Sequence, residues 1–469
     1  MTRLFGTDGL RGEAGTYPLD PITVRTVGRS LANHLALNSD RRAPRIVTGR
    51  DTRQSGEWIE SAIIAGALEA GAECQSAGVI TTPGVAYLAR SLPADAGVVI
   101  TASHNPYLDN GIKIFAPSGR KLDDATERLI ETDVKAQSST ESDDRQEAQR
   151  GENTSLNELI GIASIPQHAA LLQARYREYL LNEIAHGLDL TGLRIVVDSA
   201  NGAASDLAPD LFKNLGAQVI AINNSPNGRN INLNCGSLHI DGVQQRVLED
   251  SADLGIAFDG DADRALFVDA KGHFVDGDAV LWVMAKSFHS KGGLPENTVV
   301  ATVMSNIGLE IALRSTGIDL VRADVGDKYV LEKLLETGAS LGGEQSGHII
   351  FPKLSRAGDG IITALKLIGV MQESDESLES LTVGFTRYPQ ILVNVPVRVK
   401  PPFDDGKEIA RAARETEIEL GENGRLLLRY SGTEQLARVM IEGKQQDLIE
   451  REAHALAAVI KDAIGLRNF

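Results

Sequence analysis

Cysteine is almost absent from this chain. Only Cys74 and Cys235 occur among 469 residues, they are far apart, and no C-x-x-C pair is present. This scarcity excludes a disulfide framework and a thiolate zinc site. It also predicts a protein of a reducing compartment, for which we expect the cytoplasm.

Long apolar runs and an excess of positive charge are missing as well. No stretch approaches the roughly 18 to 20 uninterrupted apolar residues that a membrane span needs. The start, MTRLFGTDGLRG, lacks the basic and then apolar segments of an export signal, so we expect neither export nor membrane insertion. With 64 acidic and 47 basic residues the net charge is -17, which argues against broad binding to nucleic acid or anionic lipid, because such binding needs a positive face.

A strand, a glycine-bearing turn, an amphipathic helix and a second strand follow one another three times along the chain. The three copies are RIVTGRDTRQSGEWIESAIIAGALEAGAECQSAGV, RIVVDSANGAASDLAPDLFKNLGAQVIAINN and TVVATVMSNIGLEIALRSTGIDLVRADVG. Each has the pattern of a β-α-β unit, so we predict three similar α/β domains with mixed, largely parallel sheets. In such sheets ligands bind beyond the carboxyl ends of the strands.

The last part of the chain has a different pattern. From about residue 388 the alternating strands ILVNVPVRV and RLLLRYSG precede a final helix, which predicts a C-terminal α+β domain. Residues 136–157 carry almost no large apolar side chain and predict a mobile surface loop. The predicted domains are 1–160, 161–262, 263–385 and 386–469.

Three aspartates follow the apolar strand LGIAF. The segment FDGDADR places Asp259, Asp261 and Asp263 two residues apart, so a tight turn can bring their carboxylates onto one hard cation, with magnesium the best candidate. A calcium-binding helix-loop-helix is excluded, because its glycine and glutamate positions hold Arg264 and Ala270. The alternative is an acidic, solvated turn.

A serine stands at the end of another buried strand, in VVITASHNPYLDN. A hydrolase would need a histidine base at this serine, but Ser103 and His104 are neighbours and point to opposite sides of an extended chain. No G-x-S-x-G elbow is present either. We therefore expect Ser103 to carry a group rather than to act as a hydrolase nucleophile.

Two basic residues are further candidates for a site: one follows the serine segment, and the other lies near the amino terminus. Lys113, in GIKIF, is flanked by Ile112 and Ile114, which predicts a strand that buries one face and points the lysine toward a site. Arg11, in FGTDGLRG, is the other candidate. Both alternatives remain open, because most lysines and arginines are surface cations.

Two further segments combine polar side chains that suit a phosphorylated sugar. In GGEQSGH, an extended chain would point Glu344, Ser346 and His348 to one side, where they suit sugar hydroxyls, although a polar hairpin is the alternative. In RYSGTEQLARV, a glycine-centred turn with hydroxyls and guanidinium groups suits a phosphate, although an ordinary turn is the alternative. The candidate phosphate ligands are Arg429, Ser431, Gly432, Thr433 and Arg438.

Together the motifs TASHNP, DGDADR, GEQSGH and RYSGTE resemble, in this order and one per domain, those of the α-D-phosphohexomutases over essentially the full chain. The resemblance implies four domains around a central cleft and a phosphorylated Ser103. It also implies one Mg²⁺ per chain, held by a phosphoserine oxygen and by Asp259, Asp261 and Asp263.

The resemblance further implies roles for the remaining candidates. Arg11, Lys113 and Arg264 would neutralise the transferring phosphoryl group, and His104 would orient it. Glu344 and Ser346 would contact sugar hydroxyls, and the RYSGTE segment with Arg438 would hold the phosphate that is not transferred. Lys113 and His348 both remain candidates for the general base. Gln435 departs from the family pattern, which usually has proline there; we expect this to loosen the phosphate loop without removing a phosphate donor.

Within the family, FGTDGLRG, TASHNPYLDNGIKIF and AGDGIITAL most resemble bacterial members that act on glucosamine phosphates. This implies interconversion of glucosamine 6-phosphate and glucosamine 1-phosphate through glucosamine 1,6-bisphosphate, in amino-sugar metabolism. The expected partner is a small phosphosugar, without nucleic acid or membrane, and the expected state is a monomer or homodimer. The alternatives are a phosphoglucomutase or phosphomannomutase, a non-catalytic phosphosugar-binding regulator, or a phosphatase.

Overall fold

The computed structural model describes residues 3–6, 8–38, 43–140, 161, 165–404, 407–431 and 434–466. In these residues the strands form four separate sheets, of six, five, four and three strands, that follow one another along the chain. Each of the first three contains parallel strands, and the fourth is wholly antiparallel. The prediction of three α/β domains and a C-terminal α+β domain is confirmed. Within the described part of the chain, no helix is both long and apolar enough to cross a bilayer.

The first domain carries the serine segment. Its elements are β1 (Phe5–Gly6), β2 (Gly9–Glu13), α1 (Pro21–Asn38), β3 (Arg45–Arg50), α2 (Gly56–Glu69), β4 (Glu73–Val79), α3 (Thr82–Ser91), β5 (Ala96–Ile100), β6 (Asp109–Phe115) and α4 (Asp124–Thr140). The sheet order is β1-β2-β6-β5-β3-β4, with β5, β3 and β4 parallel. β5, of sequence AGVVI, is buried along its whole length, as expected for an apolar strand covered on both faces.

The second domain carries the three aspartates. Its elements are α5 (Pro166–Tyr179), which continues as a π-helical turn (Leu180–Ile184), β7 (Arg194–Asp198), α6 (Leu207–Asn214), β8 (Gln218–Ile222), a 3₁₀ turn (Gly236–Leu238), α7 (Asp241–Glu249), β9 (Leu254–Phe258), β10 (Ala265–Asp269) and β11 (Phe274–Val275). The sheet order is β11-β10-β9-β7-β8. The boundary predicted at 262 therefore divides a hairpin, because the aspartate turn leads from β9 straight back into β10 of the same sheet.

The third domain carries the GGEQSGH segment. Its elements are α8 (Gly277–Ser290), a 3₁₀ turn (Pro295–Asn297), β12 (Thr298–Thr302), α9 (Ile307–Ser315), β13 (Asp319–Ala323), α10 (Asp327–Thr337), β14 (Gly342–Gly343), β15 (Ile349–Ile350), α11 (Gly360–Ser374) and α12 (Leu378–Thr382). The sheet order is β13-β12-β14-β15. Its helices share a large apolar core with the second domain.

The fourth domain has its own small core. Its elements are β16 (Gln390–Pro396), α13 (Lys407–Leu420), a 3₁₀ turn (Gly421–Asn423), β17 (Gly424–Tyr430), β18 (Leu436–Gly443) and α14 (Gln446–Ile464). The sheet order is β16-β18-β17. α14 buries one face that includes Ile449, Ala453, Leu456 and Ile460, which confirms the predicted final helix.

Two details differ from the predicted domain limits. α4 runs to Thr140, so residues 136–140 of the predicted loop 136–157 are helical, and its remaining residues lie outside the described ranges. α5 packs against β4 of the first sheet, where Gln173 Nε2 donates a hydrogen bond to Ala77 O at 2.8 Å. Part of the segment assigned to the second domain thus covers the first.

Candidate active site

The three aspartates form one buried cluster in the turn between β9 and β10. Carboxylate oxygens of Asp259, Asp261 and Asp263 all lie within 4.8 Å of one another. Ala262 adopts a left-handed conformation, with φ 56°, which tightens the turn. No described residue donates a hydrogen bond to Oδ1 of Asp261, although that atom is buried. A set of converging carboxylate oxygens with an unpaired buried member fits a hard divalent cation.

Ser103 contacts this cluster directly. It lies just beyond the carboxyl end of β5, is buried, and its Oγ donates a hydrogen bond to Oδ2 of Asp259 at 2.6 Å. Burial and the neighbouring carboxylates of Asp263 and Asp261 raise the pKa of Asp259 well above its usual value. The serine of the first domain and the carboxylates of the second therefore form one site.

The imidazole of His104 lies nearer to the Ser103 hydroxyl than an extended chain would allow. Its Nδ1 is 3.4 Å from Ser103 Oγ, because Ser103 has φ 52° and the chain is not extended there. The prediction that the two side chains point apart is therefore wrong. Burial and then the positive charges of Arg264 and Arg11 lower the pKa of His104 to about 4, so the ring is neutral at pH 7. Asp259 remains the closer partner of the serine hydroxyl.

Lys113 points into the cluster from β6. Its Nζ lies 2.9 Å from Oδ2 of Asp261 and 3.1 Å from Oδ2 of Asp263, and the side chain is fully buried. Burial alone lowers its pKa, but the carboxylates of Asp261 and Asp263 outweigh that effect and raise the pKa well above the usual value. Lys113 is therefore a cation in this arrangement.

Two arginines flank the serine and the cluster. Arg11 forms an ion pair with Asp8 and donates a hydrogen bond from Nη1 to Ala102 O at 3.1 Å. Arg264 follows the last aspartate, and its Nε lies 3.8 Å from Oδ1 of Asp263. Asp8, whose carboxylate also lies 3.5 Å from Lys113 Nζ, was missed by the sequence reasoning. Its place three residues before Arg11 in FGTDGLRG was the available signal.

A cavity of about 530 Å³ opens beside these groups. Its lining joins the three α/β domains. Charged and polar lining residues are Arg3, Asp8, Arg11, His104, Asp263, Arg264, Asp327, Glu344 and His348. Among the residues that the structure describes, none from the fourth domain lines this cavity.

Of the two possibilities for the GGEQSGH segment, an extended chain and a polar hairpin, the structure has a hairpin turn between β14 and β15. The amide of Glu344 donates to His348 O at 3.0 Å and closes the turn. Glu344 still faces the cavity, with its carboxylate accepting hydrogen bonds from Ser346 Oγ at 3.2 Å and from the Gly326 amide at 3.1 Å. The polar hairpin considered as the alternative is thus the structure, and it places Glu344 and His348 at the cavity.

His348 points inward from this turn. Its Nδ1 lies 3.5 Å from Oδ1 of Asp263, and its Nε2 lies 3.1 Å from the amide nitrogen of Gly358, which donates to it. Burial alone lowers the pKa of His348, but Asp263 and then Asp327 raise it to about 9. The hydrogen bond from the Gly358 amide opposes the rise in the pKa of His348, because Nε2 can accept a hydrogen bond only when it carries no proton.

Of the predicted phosphate ligands of the fourth domain, Arg429 lies on β17, Arg438 lies on β18, and Ser431 directly follows β17. Arg429 and Arg438 are directly opposite each other in the antiparallel register. Like charges opposed across two strands repel, which an anion between them would relieve. Gly432 and Thr433 lie outside the described residues. The carbonyl of Gln435 accepts a hydrogen bond from the Val397 amide at 2.9 Å, so this position is tied to the sheet through its backbone.

Comparison with known protein families decides the relationship. Models of the phosphoglucomutase/phosphomannomutase α/β/α domains I, II and III match residues 2–141, 174–272 and 276–388, and that of the C-terminal domain matches residues 392–459. The chain belongs to the phosphoglucomutase/phosphomannomutase family. The predicted resemblance to the phosphohexomutases is thereby confirmed.

Relatives within the family match along almost the whole chain. A phosphoglucosamine mutase of Solibacter usitatus is 47% identical, with 98% of this chain and 99% of the relative covered. A phosphoglucosamine mutase of Koribacter versatilis is 45% identical, with 99% of this chain and 98% of the relative covered.

Solved structures of family members share the fold. A phosphoglucomutase/phosphomannomutase family protein from Burkholderia thailandensis has a TM-score of 0.76 at 22% identity, covering 99% of both chains. An Aspergillus fumigatus N-acetylphosphoglucosamine mutase in complex with GlcNAc-6P and magnesium has a TM-score of 0.64 at 18% identity, covering 98% of this chain and 96% of the other.

Proposed function

We propose that this member of the family is a phosphoglucosamine mutase that interconverts glucosamine 6-phosphate and glucosamine 1-phosphate. The full-length relatives of that name, at 45% and 47% identity, support the choice of substrate. The observation that carries the chemistry is the contact of Ser103 Oγ with Asp259 at 2.6 Å, within a buried carboxylate cluster beside a cavity. A serine held this way suits a phosphoryl carrier.

We infer one Mg²⁺ per chain, held by Asp259, Asp261, Asp263 and an oxygen of phosphorylated Ser103. The unpaired oxygen of Asp261 and the convergence of the three carboxylates support this ligand set. When bound, the ion supplies positive charge that stabilises the transferring phosphoryl group.

The phosphoryl group moves twice in the proposed cycle. First, the bond from phosphorus to Ser103 Oγ breaks, a bond to O1 of glucosamine 6-phosphate forms, and the O1 proton passes to a base. The product is glucosamine 1,6-bisphosphate, which also serves as activator because it can load Ser103. Ser103 Oγ then takes the 6-phosphoryl group, O6 regains a proton, and glucosamine 1-phosphate leaves.

Four side chains around Ser103 support these steps by charge and position. Arg11, Lys113 and Arg264 surround the phosphoryl site and offset charge on its equatorial oxygens. His104, neutral at pH 7, donates or accepts a hydrogen bond without adding charge and orients the group.

Lys113 and His348 are the two proposed acceptors of the sugar proton. Each must first be neutral, and the carboxylates of Asp261 and Asp263 oppose this at Lys113. The pH profile of kcat distinguishes the two, because its acidic limb reports the protonation of the base. If Lys113 is the base, this limb should disappear or move in Lys113→Arg and stay in place in His348→Gln. If His348 is the base, the reverse should hold.

The remaining candidates hold the substrate in our proposal. Glu344, which lines the cavity, and Ser346, whose hydroxyl donates to the Glu344 carboxylate, bind sugar hydroxyls. The phosphate not undergoing transfer binds the fourth domain, through Arg429, Ser431, Gly432, Thr433 and Arg438. The repulsion between the opposed arginines Arg429 and Arg438 supports an anion there.

The test combines two measurements on one sample. Intact mass before and after glucosamine 1,6-bisphosphate should show one added phosphoryl group on wild type and none on Ser103→Ala. An assay of glucosamine, glucose and mannose 6-phosphates should show glucosamine 6-phosphate turned over fastest. Faster turnover of glucose 6-phosphate or mannose 6-phosphate would refute the substrate, steady release of phosphate would indicate a phosphatase, and full activity of Ser103→Ala would refute the carrier.

A further inference from the structure

Four hydrogen bonds converge on the backbone of the serine segment from two distant parts of the chain. Arg53 Nη2 donates to Ser103 O at 3.1 Å and to Asn105 O at 2.6 Å. Asn232 Nδ2 donates to the same two carbonyls, at 2.9 Å and 3.0 Å. Each carbonyl oxygen has two lone pairs, so both carbonyls are fully used.

Arg53 belongs to the first domain and is itself rigidly held. Its side chain is fully buried and forms an ion pair with Asp51, whose Oδ1 also accepts the Arg53 amide at 2.9 Å. The amide of Asp51 in turn donates to Ile100 O at 3.1 Å, at the end of β5. The guanidinium is thus fixed to the strand that delivers the serine.

Asn232 reaches the serine segment from the second domain. The backbone amide of Asn232 donates a hydrogen bond to Ala200 O at 2.9 Å. Its φ is 58°, a left-handed conformation that asparagine tolerates better than most residues. Gly260 packs against the serine segment and Asn232 so closely that a side chain would not fit, because a Cβ at that position would lie 2.6 Å from Ser103 O and 2.9 Å from Asn232 Nδ2. The carboxylate turn and the serine segment therefore meet at this point.

We propose that Arg53 and Asn232 are positioning residues that hold Ser103 in its left-handed conformation, so that Oγ stays at Asp259. A serine at φ 52° is strained, and an extended residue there would point Oγ elsewhere. The two side chains fix the carbonyls on either side of His104, which sets the direction of the hydroxyl without touching it. The proposal rests on the phosphoryl-carrier role proposed for Ser103.

The decisive variant is Asn232→Ala, which removes two of the four hydrogen bonds and leaves the Arg53 ion pair intact. We expect kcat to fall about 10- to 100-fold, with KM changed less than about 3-fold, because misplaced reacting groups slow the chemical step more than binding. The rate at which glucosamine 1,6-bisphosphate adds a phosphoryl group to Ser103, followed by intact mass, should fall by the same factor.

The matched control is Arg229→Met. Arg229 Nε donates a hydrogen bond to Gln54 Oε1 at 2.7 Å across the same two domains, in an exposed place and not to the serine segment. This variant should retain wild-type kcat and loading rate. Asn232→Asp, which keeps the shape of the side chain and replaces both donors by acceptors, should lose at least as much loading rate as Asn232→Ala.

Each outcome decides the proposal. Wild-type loading and kcat in a folded Asn232→Ala would overturn the positioning role and leave the proposed function standing. Unfolding of both Asn232 variants beside a folded Arg229→Met would replace the positioning role by a purely structural one. A wild-type protein that neither loads Ser103 nor isomerises the sugar phosphate would remove the proposed function, and the positioning role with it.

Discussion

Lys121 of the first domain lies 2.7 Å from Asp327 of the third, joining residues that are 206 positions apart in the chain. The same ammonium donates to Asp8 at 2.6 Å, and Asp8 and Asp327 both line the cavity beside the carboxylate cluster. Because one cation holds two carboxylates from different domains, it fixes the distance between the serine side and the sugar side of the cavity.

Loss of this bridge should weaken both stability and turnover. In Lys121→Met the partly buried carboxylates of Asp8 and Asp327 lose their shared cation, which should cost about 2 kcal/mol and lower kcat/KM about 10-fold. Thermal unfolding and steady-state kinetics measure the two effects. Lys328→Met is the control, because Lys328 pairs with exposed Asp124 across the same interface. Equal losses in both variants would contradict a special role for Lys121.

Removal of the proposed metal should abolish turnover. A chelator should lower kcat about 1,000-fold or more, because charge stabilisation dominates phosphoryl transfer, and added Mg²⁺ should restore it. Asp261→Asn should reduce Mg²⁺ binding in calorimetry, whereas Asp241→Asn, in the exposed first turn of α7, should not. Activity that is unchanged by chelator would show that the cluster works without a cation.

Docking of the fourth domain should depend on Glu442. This buried carboxylate accepts hydrogen bonds from the Ile307 amide at 3.2 Å and from Arg425 Nε at 2.9 Å. Glu442→Ala removes the carboxylate partner of Arg425 and of the start of α9, and leaves Arg425 with its hydrogen bond to Ser305 O at 3.1 Å, so the domain contact should weaken by about 3 kcal/mol. Faster proteolysis near residues 383–389, together with a raised KM, would report it. Glu450→Ala, exposed on α14, is the control and should change neither measurement.

Asp278 should make the stability of the third domain depend on pH. Burial and then the carboxylate of Asp276 raise the pKa of Asp278 to about 7, from 3.8. The folded state therefore keeps this proton as pH rises through 4 to 7, while the unfolded chain loses it, so the free energy of unfolding falls across that window. Between pH 5 and pH 8 the loss should be about 3 kcal/mol.

Asp278→Asn tests this dependence. Unfolding by urea at pH 5 and pH 8 should differ less in the variant than in wild type, because the amide does not titrate. Exposed Asp319→Asn on β13 should retain the wild-type difference. A pH dependence that Asp278→Asn leaves unchanged would assign it to other groups.

Much of the site follows from local patterns. The buried strands β5 and β9 can be predicted from the sequence, because in each a run of apolar residues ends at a polar turn. The convergence of the carboxylates can be predicted as well, because they stand at alternate positions of a tight turn. The direction of the Lys113 side chain can also be predicted, because buried Ile112 and Ile114 flank it on the same strand. One inference failed: Ser103 is left-handed, so the rule that adjacent side chains of an extended chain point to opposite sides did not apply to Ser103 and His104. For GGEQSGH the sequence left an extended chain and a hairpin open, and the structure has the hairpin.

By itself the sequence determined the family, the four domains in order, and the residue types that phosphoryl transfer requires. Only the tertiary structure decided which of them meet. Ser103 reaches Asp259 across 156 residues, and its conformation depends on Arg53 and Asn232, which no local pattern singles out. Such contacts lie where different sheets pack against one another, so their geometry is set by the shapes of whole domains and not by the spacing of residues within one segment.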